Sequence, residues 1–251
     1  MIESFGGPEF AAFANHLAFL AQHRGELRSD PTGIWIDGAS PALTCWTPWP
    51  GTVLIPAGCP AVRLGPGADS TWPNRLVAAG FSPAERLSYM ELDTLSVDAK
   101  PSRGIHIDIA RTDAALREFA AVQAVGFATD DPAVDAWWAP FFVQAALRNQ
   151  FAGNQKFYLA RAGSEPAATT LALRAAGVTG IYAVATHPAY RRRGLARALL
   201  HRACADAAGE GEGRRVVLQA MTGSYAEHYY RKLGFRTAYE LQVWRRTQAD
   251  T

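Results

Sequence analysis

Cysteine and lysine are both scarce in this sequence of 251 residues. Its 3 cysteines (Cys45, Cys59 and Cys204) are an odd number, lie far apart and include no C-x-x-C pair. This spacing predicts neither a disulfide framework nor a zinc site, and it fits a reducing compartment. Lysine occurs only at Lys100, Lys156 and Lys232, so arginine supplies nearly all of the positive charge.

Long apolar runs and an excess of one charge are also missing. The best apolar candidate, residues 10–20, is interrupted by Asn15 and His16, and it is shorter than the ~20 residues that a bilayer-spanning helix needs. The N-terminus has no basic start before an apolar stretch, which argues against a signal peptide. The 25 Lys and Arg residues and 23 Asp and Glu residues leave a formal charge of only +2. We therefore expect a cytoplasmic protein with no membrane partner, and nucleic acid is an unfavoured partner.

The composition that is present, with 49% hydrophobic and 19% charged residues, is typical of a globular protein. The length suits one large domain or two small ones. Residues 29–73 are dense in proline, and short apolar runs at 33–36 and 52–55 predict strands between the breakers. Before them, apolar residues recur with the spacing of one helix face, at Phe10, Phe13, Leu17 and Leu20.

The chain after residue 104 is more regular and predicts the order β-α-α-β-β-β-α-β-α-β. Strands are expected at 105–109, 156–162, 167–174, 180–186, 215–221 and 235–246, and helices after Thr112 and at 131–149, 194–207 and 225–233. This order predicts an α+β (α/β) fold with a mixed central sheet, flanking helices and one βαβ crossover.

A short internal echo indicates two halves. Gly80-Phe81 and Gly234-Phe235 each begin the frame Gly-Phe-x-x-Ala-x-x-Leu, which suggests common ancestry, with a chance match as the alternative. We therefore predict two domains, residues 1–98 and 104–251, joined by a polar, proline-containing linker at 98–104.

The stretch from Thr186 to Leu200 is the most informative part of the sequence. A strand ends at His187-Pro188, a basic turn follows, and a sequence of strong helix formers begins at Gly194. Such a turn presents the free N–H groups of the first helical turn, next to the positive end of the helix dipole, to an anion such as a diphosphate. An ordinary strand-to-helix turn with solvated arginines is the alternative.

Two motifs here resemble consecutive signatures of the GNAT superfamily of N-acetyltransferases. They are Arg191-x-x-Gly194-x-Ala196 and the segment that runs from Ala226 through Tyr230 to Gly234-Phe235. The resemblance covers residues 104–246 and extends to the element order. It implies a catalytic GNAT-like domain at 104–251 and a degenerate GNAT-like half at 1–98. Because no such loop occurs between Pro60 and Pro73, the first half is not expected to bind acetyl-CoA.

The resemblance implies acetyl-CoA as co-substrate and no metal. Its pantetheine arm would pair with a strand edge where strands 180–186 and 215–221 splay apart, and its diphosphate would lie on the backbone N–H groups of the basic loop. The expected cofactor-binding residues are Val184, Ala185, Thr186, Arg191, Arg192, Arg193, Gly194, Leu195, Ala196, Arg197 and Ser224.

Tyr230 occupies the position of the family's general acid, which protonates the departing thiolate. A core tyrosine with a satisfied hydroxyl is the alternative. A backbone N–H near Val184 or Ala185 would stabilise the tetrahedral oxyanion. Gly223 stands where relatives frequently carry an asparagine, with Ser224 adjacent.

The general base is left open by the resemblance, because strand 180–186 lacks the glutamate that many relatives carry. A water relay is one alternative. The side chains that could serve instead are His187, Glu118, Asp130 and Asp131.

The expected acceptor is a primary amine of a small molecule or peptide. The aromatic and acidic stretch 129–142 would form one wall of its site, although Trp137 and Phe141 at positions i and i+4 are expected in the core. The first half's tryptophans are likewise expected in packing rather than in a pocket: Trp35, Trp46, Trp49 and Trp72.

Two alternative functions remain open. The first is a non-catalytic acyl-CoA-binding or sensor module, and the second is acetylation of aminoacyl-tRNA. A homodimer is left open.

Overall fold

A computed structural model describes residues 10–92, 104–209 and 215–247. These residues form six α-helices: α1 (Ala11–His23), α2 (Trp72–Ala78), α3 (Asp113–Gly126), α4 (Pro132–Arg148), α5 (Leu195–Gly209) and α6 (Tyr225–Lys232). They also form eleven strands: β1 (Gly25–Asp30), β2 (Gly33–Gly38), β3 (Cys45–Pro48), β4 (Ala61–Arg63), β5 (Phe81–Leu92), β6 (Ile105–Ile109), β7 (Gln155–Ala162), β8 (Glu165–Ala175), β9 (Val178–Thr186), β10 (Val216–Met221) and β11 (Phe235–Arg246). Most of the predicted linker at 98–104 lies outside the described residues.

One mixed sheet runs through the described part of the chain. Its strand order is β1-β2-β3-β4-β11-β5-β10-β9-β8-β7-β6. The order predicted for the second half is confirmed element by element, including the parallel β9-α5-β10 crossover. The predicted fold class, a mixed central sheet with flanking helices, is confirmed as well. None of the helices in these residues has the length and apolar character needed to cross a bilayer.

The strand predictions for the first half succeed in part. The run at 33–36 lies in β2, whereas the run at 52–55 forms no strand, so that prediction is wrong. Val53 and Leu54 are 59% and 73% exposed, so this segment has no packing surface that would stabilise a strand. The sequence pattern also missed β1, a largely polar edge strand that pairs along its whole length with β2.

The two halves exchange their last strands. Strand β5 from the first half lies between β10 and β11, and β11 from the second half lies between β4 and β5. The two long strands pair antiparallel, with Leu92 opposite Phe235 and Phe81 opposite Arg246. Each follows a helix and a glycine with positive φ, 79° at Gly80 and 100° at Gly234. The echoed sequences therefore have matching surroundings, and the sheet is continuous across the predicted domain boundary.

The helices cover the two faces of the sheet. On one face, α5 and α6 pack on a core that includes Leu199, Ile181 and Tyr230. On the other face, α1, α3 and α4 share a core around Phe119 and Tyr182. Because side chains alternate along a strand, the neighbouring residues Ile181 and Tyr182 of β9 pack into the cores on opposite faces of the sheet.

Helix α1 of the first half is fastened to the second half by Asn15. Its amide nitrogen donates to the carbonyls of Leu173 (3.1 Å), Ala175 (3.0 Å) and Val178 (3.2 Å) around the β8–β9 turn. Its amide oxygen accepts a 2.6 Å hydrogen bond from the Tyr182 hydroxyl. These bonds satisfy a fully buried side chain and fix the position of α1 over β9.

The tryptophans of the first half pack as expected. Trp35, Trp46 and Trp72 are buried in one cluster with Leu76, and Trp49 is partly buried against a neighbouring cluster. In the second half, Trp137 is 44% exposed. The prediction that it lies in the core is therefore wrong: its ring stacks on Phe141 along the outer side of α4.

Candidate active site

Strands β9 and β10 separate part of the way along their length. Parallel pairing joins Thr179–Ile181 to Val216–Leu218 and stops there, although β9 continues to Thr186. A register shift against β8 begins at the same point, and Ala183 has a φ of 49°. Such a bulge bends the strand that carries it. The sheet consequently opens between the two strands.

A cavity of about 570 Å³ passes through this opening, within the roughly 300–1,000 Å³ typical of small-molecule sites. On the α5–α6 face it is lined by Ala226 and Tyr230. On the opposite face it is lined by His16 and Phe19 of α1 together with Tyr182. A ligand in this cavity can therefore be approached from both faces of the sheet.

The basic loop lies beyond the end of β9. After Thr186 the chain makes one 3₁₀ turn, Pro188–Tyr190, and then reaches Arg192 and Gly194 with φ of 62° and 78°. The backbone N–H groups of residues 192–197 bond to no acceptor in the described residues, and the first turn of α5 holds no acidic side chain. Left-handed residues beside a helix N-terminus form a concavity of N–H groups that suits an anion.

The arginines of this loop differ in what they contact. The Arg191 guanidinium donates to the carbonyls of Thr186 and Gly126, each at 3.4 Å, so it ties the loop to the end of α3. Arg193 lies 5.2 Å from the ring centroid of Tyr190. The other two, Arg192 and Arg197, are exposed. The predicted site residue Leu195 is 2% exposed, so only its backbone can meet a ligand.

Tyr230 lies on α6 with 8% of its surface exposed, and it lines the cavity. Its hydroxyl bonds to no group in the described residues, which differs from a core tyrosine with a satisfied hydroxyl. Burial, and to a lesser extent Tyr229, raises the pKa of Tyr230 well above its usual range. The hydroxyl therefore stays protonated at ordinary pH.

The start of α6 is held by Ser224 and Glu227. The Ser224 hydroxyl caps the helix by accepting from the Glu227 N–H at 3.2 Å, so this predicted cofactor-binding side chain already has a structural use. The Glu227 carboxylate is 1% exposed. It accepts hydrogen bonds from Ser88 of β5 (2.7 Å), the Gly223 N–H (2.7 Å) and Arg231 (2.6 Å). These bonds, that from Ser88 first, hold the pKa of Glu227 below its ordinary value.

Glu227→Gln is expected to lower the free energy of unfolding by roughly 2–3 kcal/mol at pH 7, because it replaces a buried, charge-assisted acceptor. Since the folded pKa is depressed, the advantage of the native protein is present above the usual glutamate pKa of ~4.3 and is lost as the pH falls through the folded value. Urea unfolding of both proteins at pH 7 and at pH 3 measures it. Glu26→Gln on exposed β1 is the control, and an equal loss at both pH values would contradict the assignment.

The side chains considered from sequence as the general base do not line the cavity. Glu118 pairs with Arg161 on the sheet, Asp131 caps α4 through the N–H of Ala133, and His187 accepts from the Ala189 N–H at 3.3 Å. The fourth candidate, Asp130, is exposed. The acidic and histidine side chains that do line the cavity are His16, Glu85 and Asp135.

The segment 129–142, predicted to form one wall of the acceptor site, contributes Thr129, Asp135, Trp138 and Phe142 to the lining of the cavity. Trp138 and Phe142 line the cavity with Phe127, and their rings stack 5.5 Å apart. Asp135, one turn before Trp138, accepts from the N–H and hydroxyl of Thr129 at 2.9 and 3.0 Å.

Four charged side chains of this cavity were missed in the sequence. They are Arg24, Arg63, Glu85 and Arg245; Arg24 directly follows α1, and the other three lie on β4, β5 and β11. No spacing links them along the chain. The one available signal was local: Asn15 and His16 interrupt the apolar face of α1, and both turn out to be buried and to face the second half.

The described residues contain no group of three or more His, Cys, Asp and Glu side chains arranged to hold a metal ion. The features that could hold a nucleotide-containing acyl donor are present. The unbonded N–H groups of residues 192–197 lie next to exposed cationic side chains, at the same end of β9 as the opening beside β10.

Comparisons with known proteins agree with this geometry. The sequence model of an acetyltransferase (GNAT) domain matches residues 120–245. None of the curated proteins matches the sequence.

Several solved structures share the fold. A GCN5-related N-acetyltransferase from Kribbella flavida matches with a TM-score of 0.68 and 18% identity, over 97% of this chain and 98% of its own. A GNAT-family protein from Novosphingobium aromaticivorans has a TM-score of 0.58 and 18% identity, over 96% and 97%. A tandem GNAT protein from the clavulanic acid biosynthesis pathway has a TM-score of 0.55 and 14% identity, over 96% and 89%. The tandem protein is consistent with two GNAT-like halves here.

Proposed function

Because this chain belongs to the GNAT family of acetyltransferases, we propose that it transfers an acetyl group from acetyl-CoA to a primary amine in a ternary complex. The observation that carries the proposal is the cavity between β9 and β10. Tyr230, whose hydroxyl is unbonded, lines this cavity together with Val184 of β9, and the free backbone N–H groups of residues 192–197 follow the end of that strand.

The N–H groups of residues 192–197 bind the diphosphate, with Arg192, Arg193 and Arg197 available to the 3′-phosphate. Arg191 acts indirectly, since its guanidinium holds the loop against the carbonyls of Thr186 and Gly126. The unpaired edge of β9 at Val184, Ala185 and Thr186 receives the pantetheine arm as an added strand would be received.

Acetyl-CoA supplies an acyl group activated as a thioester. In the transfer, a C–N bond forms to the acceptor nitrogen, the C–S bond breaks, the amine loses one proton and the thiolate gains one. A backbone N–H of β9 near Val184 or Ala185 stabilises negative charge on the carbonyl oxygen. The Tyr230 hydroxyl donates the proton that the sulfur requires. Its raised pKa keeps that proton in place until it is needed.

Residues 1–98 are proposed to be a degenerate half of similar ancestry without a cofactor role. Its counterpart of the β9–β10 connection is the segment between β3 and β4, which are also parallel. Residues 49–60, all of which the structure describes, form no helix there. The first half instead contributes α1 and several charged side chains to the acceptor face of the cavity.

The test is a calorimetric titration of the purified protein with acetyl-CoA and with free CoA, followed by measurement of thiol release with a panel of primary amines. Binding at one site per chain and amine-dependent thiol release are expected. If acetyl-CoA does not bind, the proposal is wrong. Binding without thiol release from any amine would favour the rival function, a non-catalytic acyl-CoA sensor.

A further inference from the structure

The part of the cavity beneath the first half carries more positive than negative charge. Three guanidinium groups line it, from Arg24, Arg63 and Arg245, beside the carboxylate of Glu85. Arg245 forms an ion pair with that carboxylate: its Nη2 and Nε donate hydrogen bonds of 2.9 and 3.2 Å to Glu85 Oε1. The other two guanidinium groups therefore have no carboxylate partner among the described residues.

Arg63 is the more unusual of the two. It is 9% exposed, and its Nε and Nη1 are buried without any hydrogen-bond partner. The polar groups beside the guanidinium are the Cys45 thiol and the hydroxyl of Tyr89, whose pKa burial raises to about 12. A buried cation without an anion is costly, because desolvation is not offset by a Coulombic partner. An anion in the adjoining cavity would offset it.

Arg24 lies at the C-terminal end of α1, above the same part of the cavity. Its guanidinium carbon is 5.5 Å from the ring centroid of Trp138. Burial, and next the positive charge of Arg63, lowers the pKa of Arg24. Two like charges are thus held near each other, and Arg24 also lies against the Trp138 ring. Guanidinium pairs of this kind bind carboxylates strongly, since each offers a planar fork of donors.

A carboxylate, that of Asp135, also lines the cavity. Asp135 lies one helical turn before Trp138 on α4, which is a rise of ~5 Å. Its carboxylate receives hydrogen bonds from Thr129, and it has no cationic partner in the described parts of the chain. The same cavity is also lined by the aromatic rings of Phe19, Trp138 and Phe142. It therefore brings guanidinium groups, aromatic rings and an unpaired carboxylate together in one site.

We propose that the acceptor is a small amine that also carries a carboxylate, and that Arg63 and Arg24 bind this carboxylate while the amine lies near Asp135 and Tyr230. An amino acid with an apolar or aromatic side chain has this distribution of charge. This inference rests on the proposed function, because it names the substrate class of the same cavity. It assigns the first half a binding role in acceptor selection.

The experiment uses the full chain saturated with acetyl-CoA, whose own binding is measured first. L-Phenylalanine, L-phenylalaninamide and phenyl phosphate are titrated as probes, and thiol release is followed with the two amines. The carboxylate is expected to bind more tightly than the amide by about tenfold or more, because the amide cannot pair with the arginines. Arg63→Met and Arg24→Gln should each remove that preference. Arg28→Gln, on β1 outside the cavity, should preserve it.

Acetyl-CoA affinity and circular dichroism show whether each variant is folded, and Arg24→Gln keeps the test valid if Arg63→Met does not fold. Equal binding of phenylalanine and its amide, or binding of neither, by protein that binds acetyl-CoA normally would overturn the proposal. Tighter binding of phenyl phosphate would overturn the assignment of a carboxylate. Failure of acetyl-CoA to bind would instead count against the proposed function, and the preference for the carboxylate can then be measured without it.

Discussion

Gly194→Asp is expected to raise the dissociation constant for acetyl-CoA by about 100-fold or more. The new carboxylate would lie at the N-terminus of α5, among the N–H groups of residues 192–197. Repulsion between unit charges ~5 Å apart near a protein surface amounts to about 3 kcal/mol, which corresponds to that factor. Calorimetric titration of both proteins with acetyl-CoA gives the comparison.

Gly194→Asn is the matched control for this prediction. Gly194 has a φ of 78°, and an added Cβ there would meet no atom within 4 Å. Asparagine tolerates left-handed backbone at least as well as aspartate does and has the same shape without the charge. We expect it to retain most of the affinity. Equal losses in both variants would mean that backbone strain, rather than charge, is responsible, and the diphosphate would have to be placed elsewhere.

Tyr230→Phe is expected to lower kcat by about 100-fold, within the range found for loss of a general acid. The acetyl-CoA dissociation constant should change by less than about threefold, because only a proton donor is removed. Folding should be unaffected, since the hydroxyl bonds to no group in the described chain. Steady-state kinetics with an established amine acceptor, together with thermal unfolding, tests all three points.

Tyr229→Phe serves as the control, because Tyr229 is the adjacent hydroxyl on α6 and stacks on Tyr225 at 6.4 Å. We expect near-normal turnover from it. An unchanged kcat in Tyr230→Phe would assign the proton to water or to another group. The raised pKa of Tyr230 also means that its ionisation should not produce a fall in kcat at moderately alkaline pH.

The second half was predictable because its signals are local. Thr112 and Asp131 cap helices where the sequence indicated, and β11 covers the whole predicted segment 235–246. The basic loop presents the free N–H groups that its sequence implied, beside Gly194 with a φ of 78°. Each of these features depends on residues within about one turn or one strand of each other, and periodicity and capping rules act over that range.

The side of the cavity beneath the first half depends on long-range pairing instead. Arg63 reaches it only because β4 pairs with β11, and Glu85 only because β5 lies between β10 and β11. No local pattern encodes which strands become neighbours when connections cross between halves. The exposure of Trp137 was misjudged for a related reason. An i, i+4 aromatic pair marks one face of α4, and tertiary packing decides whether that face is covered.

Because the two halves exchange β5 and β11, the sheet cannot be completed during synthesis until β11 has been made. When Leu92 leaves the ribosome, β3, β4 and β5 are complete, yet β11, which lies between β4 and β5, begins only at Phe235, and β10, the other neighbour of β5, begins only at Val216. At ~5–20 residues per second, the first half waits on the order of ten seconds for those partners. Throughout that interval its strand edges are open to pairing with any other chain nearby. The nascent chain therefore completes this sheet only after Arg246 has been synthesised.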